Sequence, residues 1–86
     1  MNISAELTLL PLKNDFKPII KKFIKSLRNS KLKIIKNPLS THVYGEYDII
    51  INLLETEVKK VFTKNESIMI FLRLVKGDKS YYKPNF

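Results

Sequence analysis

The chain has 86 residues and no cysteine, so it is long enough for one hydrophobic core, too short for two, and lacks a disulfide to stabilise it. Its 44% apolar and 28% charged residues exclude a disordered chain, and its net charge of +8 raises nucleic acid or an anionic membrane as partners. No apolar run approaches the ~18–20 residues of a membrane span, and residues 1–6 lack the features of a signal peptide. We therefore expect a cytoplasmic protein without a membrane partner.

The first part of the chain predicts a strand followed by a lysine-rich helix. Apolar and polar residues alternate over residues 2–10, as in a half-buried strand, and Pro11 is expected to end that strand. Asp15 is the predicted N-cap of a helix that runs to about residue 30. Its apolar stripe recurs at three- and four-residue steps and consists of Phe16, Ile19, Ile20, Phe23, Ile24 and Leu27.

The second part predicts two short strands, a helix and a last strand. Residues 32–36 and 41–46 are strand-like and flank an Asn-Pro turn. Asp48 is the predicted cap of the second helix, whose apolar stripe is Ile51, Leu54, Val58, Val61 and Phe62. Residues 68–75 form the most apolar strand, and Gly77 and Asp78 end it.

This β-α-β-β-α-β order predicts an α+β fold of the ferredoxin-like type. Right-handed crossovers place the first and third strands in the middle of a four-stranded antiparallel sheet, with both helices on one face. We assign this domain to residues 1–80 and a C-terminal tail to residues 81–86. The open face of the sheet then carries Ser4, Glu6, Thr8, His42, Tyr44 and Glu46.

The last strand predicts self-association, because it has apolar residues at both its even and its odd positions, which face opposite sides of the sheet. Ile68, Ile70, Leu72 and Leu74 have one parity, while Met69, Phe71 and Val75 have the other, with Arg73 among them. A helix layer covers only one face, so a second subunit is the simplest cover for the other. We therefore expect a homo-dimer or homo-tetramer.

The lysines of the first helix admit two interpretations. Lys17, Lys21, Lys22, Lys25 and Arg28 share the helix with its apolar stripe, so a solvated outer face explains them. A surface for polyanions is the alternative. We do not expect a specific nucleic-acid partner.

Motifs for catalysis, cofactor binding and metal binding are missing from the sequence. There is one histidine, no cysteine and only two glycines, so no phosphate-binding loop or metal-ligand spacing is present. His42 is explained as a hydrogen-bonding strand residue. We expect no enzymatic activity, no metal and no cofactor.

Residues 37–48, NPLSTHVYGEYD, form the densest polar cluster and resemble a conserved segment of the YkoF-related, thiamine-binding-protein-like family. Residues 4–12 resemble the first strand of that family, and residues 74–78 its last-strand exit. The sequence departs from the family pattern at Leu10, where the family usually has an aromatic residue, at His42, where glutamine is frequent, and in the tail after Ser80. The resemblance implies a ferredoxin-like fold, oligomers, no enzymatic activity, and binding of thiamine or its hydroxymethylpyrimidine moiety.

The residues themselves are compatible with such a ligand. A carboxylate accepts from the amino group of an aminopyrimidine, hydroxyls supply further partners, and a tyrosine ring presents a π-face to a cation. The predicted ligand-binding residues are Ser4, Glu6, Ser40, Thr41, Tyr44 and Glu46. Each also has a structural explanation: Glu6 can pair with Arg73, residues 40–41 can be turn chemistry, and Tyr44 can pack in an interface.

Two other functions stay open at this point. RNA-recognition motifs share the βαββαβ order, but they stack bases on aromatic residues of the first and third strands. The first strand here has no aromatic residue on its open face, and Glu6 would repel phosphate. The other alternative is a self-assembling structural or regulatory domain without a small ligand.

Overall fold

The computed structural model describes residues 1–12 and 17–84, and these form the predicted order of elements. The predicted cap Asp15 and the first stripe residue, Phe16, lie outside the described residues. The elements are β1 Asn2–Pro11, α1 Lys17–Arg28, β2 Lys33–Lys36, β3 Thr41–Glu46, α2 Tyr47–Lys64 and β4 Ile68–Lys76.

The four strands form one antiparallel sheet in the order β2-β3-β1-β4, which confirms the predicted ferredoxin-like α+β fold. The two central strands are β1 and β3, as predicted. In the part of the chain that the structure describes, no helix combines the length and apolar character needed to cross a membrane.

The core lies between the helices and one face of β1 and β3. Alternate residues of β1 point into it, and Leu7 at its centre is only 1% exposed. Since period-two alternation puts the intervening residues on the other face, Glu6 and Thr8 face away from the helices. The buried side chains of the core are Ile3, Ala5, Leu7, Phe23, Leu27, Val43, Ile50, Leu54 and Val61.

Strand β1 ends at Pro11, as predicted, and the proline is its last residue. Pro11 is opposite Ile68, and the neighbouring Leu12 N–H donates to the Ser67 carbonyl at 3.0 Å. Hydrogen-bonded and non-hydrogen-bonded pairs alternate in an antiparallel ladder, so Pro11 occupies a non-hydrogen-bonded pair. The missing N–H therefore costs no bond to β4.

Helix α2 begins earlier than predicted, and its cap is Glu46 rather than Asp48. The Glu46 carboxylate accepts from the Ile49 N–H at 3.2 Å, which satisfies one of the free donors of the first turn. The buried face is also shifted relative to the predicted stripe. It includes Ile50 and Glu57, whereas Phe62 is 53% exposed, because this helix carries apolar residues around more than one face.

Strand β4 is an edge strand that is covered only in its first half, where Ile68 and Ile70 pack against the core. Met69, Phe71, Leu72, Leu74 and Val75 are all about half exposed. Two of them, Leu72 and Leu74, lie on the helix side of the sheet, opposite Leu7 and Ala5. The two-faced apolar character of the sequence is therefore a two-faced apolar surface in the structure.

Candidate functional site

The candidate site lies on the face of the sheet that the helices leave open. The register places His42 of β3 and Arg73 of β4 directly opposite Glu6, one on each side of β1. In the next row, Ser4 is opposite Tyr44. Directly opposed residues of an antiparallel pair share a face, so these polar side chains converge without any help from loops.

The Glu6 carboxylate is the centre of a hydrogen-bond network. Its Oε2 atom lies 3.1 Å from His42 Nε2 and 3.2 Å from Ser40 Oγ, while its Oε1 atom lies 3.6 Å from Arg73 Nε. The hydrogen bond to His42 is the main reason that the pKa of Glu6 lies below its usual value. Ser40 and Arg73 act in the same direction, and burial opposes them. Glu6 is therefore a charged acceptor at neutral pH.

The β2–β3 turn brings Ser40 to this carboxylate. The Asn37 N–H donates to the Ser40 carbonyl at 2.8 Å, which closes the turn. The Thr8 hydroxyl donates to the Leu39 carbonyl at 3.2 Å and ties the turn to β1. These two bonds hold the Ser40 hydroxyl beside Glu6. The residues that form the turn therefore also shape the site.

The network fixes the direction of its hydrogen bonds. A charged carboxylate only accepts, so His42 Nε2–H donates to Glu6. In a neutral imidazole Nδ1 is then the acceptor, and the Tyr44 hydroxyl, 3.0 Å away, donates to it. The pKa of Tyr44 is raised by burial and by the charges of Asp78 and Glu6, which keeps this phenol protonated. The phenolic oxygen retains lone pairs for a ligand donor.

The C-terminal segment forms one wall of the site, and Ser4 holds it there. The Ser4 hydroxyl donates to the Gly77 carbonyl at 2.8 Å and accepts from the Lys79 N–H at 2.9 Å. Gly77 has a φ of 99°, a left-handed conformation that glycine adopts without strain. Beyond this clip, the Tyr81 ring lies 5.0 Å from Lys33 Nζ of β2. The predicted tail is therefore in contact with the sheet.

Two predicted site residues lie away from the network. Thr41 is opposite Leu7 and only 5% exposed, because its parity in β3 turns it toward the helices. Glu46 lies at the other end of β3, where its carboxylate caps α2. Neither reaches the carboxylate of Glu6, although both are close to the cluster in sequence.

A shallow pocket of about 240 Å³ opens over this network. Of the six predicted site residues, Glu6, Ser40 and Tyr44 lie in the network, and Ser4 lines the pocket. Their role in ligand binding stays a prediction. The full lining is Ser4, Ala5, Glu6, His42, Tyr44, Arg73, Val75 and Lys79.

Sequence reasoning left five lining residues out of the site, and three of them have polar side chains: His42, Arg73 and Lys79. His42 shares its parity with Tyr44, and that signal was available in the sequence. Arg73 was considered only as an alternative explanation of Glu6, and the structure places its Nε atom 3.6 Å from the Glu6 carboxylate. Lys79 follows a turn without periodicity, so no local pattern could place it. Among residues 1–12 and 17–84, no three histidine, aspartate or glutamate side chains gather as a metal site would require.

Solved structures share this fold, whereas no family model and no curated protein matches the chain. Protein SP2199 from Streptococcus pneumoniae has a TM-score of 0.83 at 20% identity and covers 91% of this chain and 89% of its own. A candidate thiamine biosynthesis/salvage protein from Thermotoga maritima has a TM-score of 0.80 at 15% identity, and the match covers 90% of this chain and 85% of that protein. Protein MJ1052 from Methanocaldococcus jannascii has a TM-score of 0.75 at 21% identity, and the match covers 99% of this chain and 87% of that protein. At these identities the likeness establishes the fold alone.

The lowered pKa of Glu6 predicts how stability depends on pH. A carboxyl whose pKa is lower in the folded than in the unfolded chain adds stability above the unfolded value, about 4.3, and that stability is lost as the pH falls further. Glu6→Gln should therefore be less stable than wild type at pH 7, and the difference should shrink below about pH 4. Urea unfolding at several pH values measures this, with Glu66→Gln as the matched control for an exposed glutamate. Parallel pH profiles for wild type and Glu6→Gln would contradict the network.

Proposed function

We propose that this protein binds an aminopyrimidine, either thiamine, which is a cation, or its hydroxymethylpyrimidine moiety, without enzymatic activity. The observation that carries the proposal is the network in which Glu6, His42 and Tyr44 line an open pocket and Ser40 supports the Glu6 carboxylate. The site is assembled by strand register on a rigid sheet, so its donors and acceptors are held in place before a ligand arrives.

The chemistry of the pocket fits this class of ligand. An aminopyrimidine has an amino group that donates hydrogen bonds, and a charged carboxylate is a complementary acceptor. Glu6 is the carboxylate, and its Oε1 atom faces only Arg73 at 3.6 Å, a separation longer than a good hydrogen bond. Tyr44 adds a ring face for a flat or cationic group. A charge-assisted bond to Glu6 is the strongest single contact that the pocket offers.

The net charge of +8 opposes a cationic ligand only at long range. Salt screens such fields over about 8–10 Å, so the groups inside the pocket decide affinity. Glu6 attracts the cation locally, and Arg73 competes with it. The Arg73 side chain is 83% exposed, which leaves it free to move when a ligand approaches Glu6.

Two likenesses support the ligand class. The segment over residues 37–48 resembles the thiamine-binding-protein-like family, and it supplies three of the four network residues. The Thermotoga maritima structure that shares the fold belongs to a candidate thiamine biosynthesis/salvage protein. Both support thiamine or a part of it as the class of ligand.

Titration calorimetry with thiamine and with hydroxymethylpyrimidine tests the proposal. We expect binding to wild type and a loss of at least about tenfold in affinity for Glu6→Gln, because a hydrogen bond to a charged group contributes about 1.5–3 kcal/mol. Glu66→Gln is the matched control, and Glu46→Gln tests the carboxylate that caps α2; both should bind as wild type does. The proposal would be contradicted if neither ligand gave a heat of binding at millimolar concentration, or if Glu6→Gln bound as tightly as wild type.

The variant Arg73→Gln should bind thiamine, the cationic ligand, more tightly than wild type does. An exposed ion pair contributes about 0.2–1 kcal/mol, so releasing Glu6 from Arg73 should tighten thiamine binding by up to about fivefold. Lys76→Gln is the control, since Lys76 belongs to the same strand but lies on its helix-facing side, opposite Ile3. Titration of both variants in one buffer gives the comparison. Weaker binding by Arg73→Gln would mean that the arginine holds the ligand instead of competing with it.

A further inference from the structure

A second pocket, of about 240 Å³, lies in the groove between α1 and α2, on the other side of the sheet from Glu6. Each helix returns across the sheet antiparallel to the strand before it, and β1 and β3 are antiparallel. The two helices therefore run in opposite directions. The lining residues recur at three- and four-residue steps, from Pro18 to Ser26 on α1 and from Glu57 to Asn65 on α2, which is the spacing of one helix face.

The groove is apolar where the two helices meet. Phe23 and Val61 belong to the core of the domain and also line the groove, with Ile19 beside them. An aliphatic side chain that enters the groove would therefore lose contact with water on both of its sides. The volume is below the ~300–1,000 Å³ of pockets for drug-sized ligands, which favours a smaller molecule.

Glu57 is a buried carboxylate in this apolar groove, where glutamate is seldom found without a partner. Its side chain is only 10% exposed. Its Oε1 atom lies 3.4 Å from Lys60 Nζ, whereas no donor within residues 1–12 and 17–84 reaches its Oε2 atom. In the same part of the chain no sealed side-chain oxygen lacks a partner, so Oε2 is open to the groove. One carboxylate oxygen is therefore available to a donor from a ligand.

Three lysines surround this carboxylate at the rim of the groove. Lys60 and Lys64 follow Glu57 at steps of about one turn along α2, and Lys22 faces them from α1. The nearby Lys22 ammonium group is the main reason that the pKa of Lys64 lies below its usual value, and Lys60 acts in the same direction. Because like charges at short range repel each other, an anionic group placed among these lysines would be stabilised.

We propose that the groove between α1 and α2 binds a free apolar α-amino acid such as leucine. The Glu57 Oε2 atom accepts from the ammonium group of the ligand, and the lysines at the rim bind its carboxylate. The aliphatic side chain packs against Phe23 and Val61. The site thus combines one negative group, a positive rim and an apolar wall, which are the three complements of an apolar amino acid.

The two signs of charge in the groove favour a zwitterion over simpler ligands. A fatty acid brings a negative charge for the lysines, but it leaves the Glu57 carboxylate without a donor. An alkyl amine brings a donor for Glu57, but it adds a positive charge beside three lysines. An α-amino acid carries both charges on one carbon atom, and Glu57 and Lys60 are likewise adjacent, at 3.4 Å.

This site is independent of the proposed function. The groove lies on the helix side of the sheet, whereas Glu6 lies on the open face, and the two pockets share no lining residue. A protein that fails to bind thiamine can therefore still bind an amino acid, and the reverse also holds.

Nuclear magnetic resonance titration of isotope-labelled wild type tests the ligand class. The probes are L-leucine, isocaproate, which lacks the ammonium group, and isoamylamine, which lacks the carboxylate. We expect leucine to shift the signals of Ser26, Glu57 and Val61, and each analogue to bind at least about tenfold more weakly, because each loses hydrogen bonds between charged groups. The absence of shifts in the groove with leucine at millimolar concentration, or an analogue that binds as tightly as leucine, would overturn the proposal.

Substitutions on α2 test the assigned contacts. Glu57→Gln keeps the shape of the side chain but removes its charge, so it should bind leucine at least about tenfold more weakly than wild type. Lys64→Gln, at an exposed position, should weaken binding by up to about fivefold. The matched controls are Glu55→Gln and Lys59→Gln, which are exposed on the same helix outside the groove and should bind as wild type does. Wild-type affinity in Glu57→Gln would refute the assignment, and if that variant does not fold, wild-type affinity in Lys64→Gln would do so.

Discussion

The strict alternation of side chains along β1 is the constraint on which the rest of the structure depends. This strand has a neighbour on each side, so its register fixes both the core and the open face. Leu7 enters the core at 1% exposure, and Glu6, one residue earlier, faces the other way between His42 and Arg73. A slip of one residue would bury the carboxylate and expose the leucine. The stability of the core therefore holds the candidate site in place.

The open face is divided between two kinds of chemistry. The β1 and β3 half carries the polar network, while the β4 half carries Phe71 and Val75. Arg73 lies at the boundary, because its strand is apolar but its guanidinium contacts Glu6. The open face therefore has a polar half, centred on Glu6, and an apolar half along β4.

Much of the fold could be predicted from the sequence because its determinants are local. Alternation in residues 2–10 and the helical stripes gave the order of elements and the central position of β1. The error at the start of α2 arose where local signals compete. Glu46 caps α2 although Asp48 is the better-placed residue by sequence pattern, whereas β1 ends at Pro11 as predicted.

The candidate site was less predictable, because it depends on contacts between distant segments. Glu6, Ser40 and Tyr44 were predictable from alternation and from the turn. Ser4 acts as a clip for the Gly77–Lys79 backbone, a contact between residues more than seventy positions apart that no local pattern reveals. Thr41 was included by its nearness in sequence, although its parity already placed it with the core residue Val43.

The central claim is that the open face around Glu6 binds the ligand, and amide and side-chain shifts during a thiamine titration of isotope-labelled protein test it most directly. We expect the largest changes at Glu6, Ser40, His42 and Tyr44, and little change at core residues beneath the helices such as Leu27. Largest changes along the outer surfaces of α1 and α2, or no change at saturating ligand, would contradict the claim.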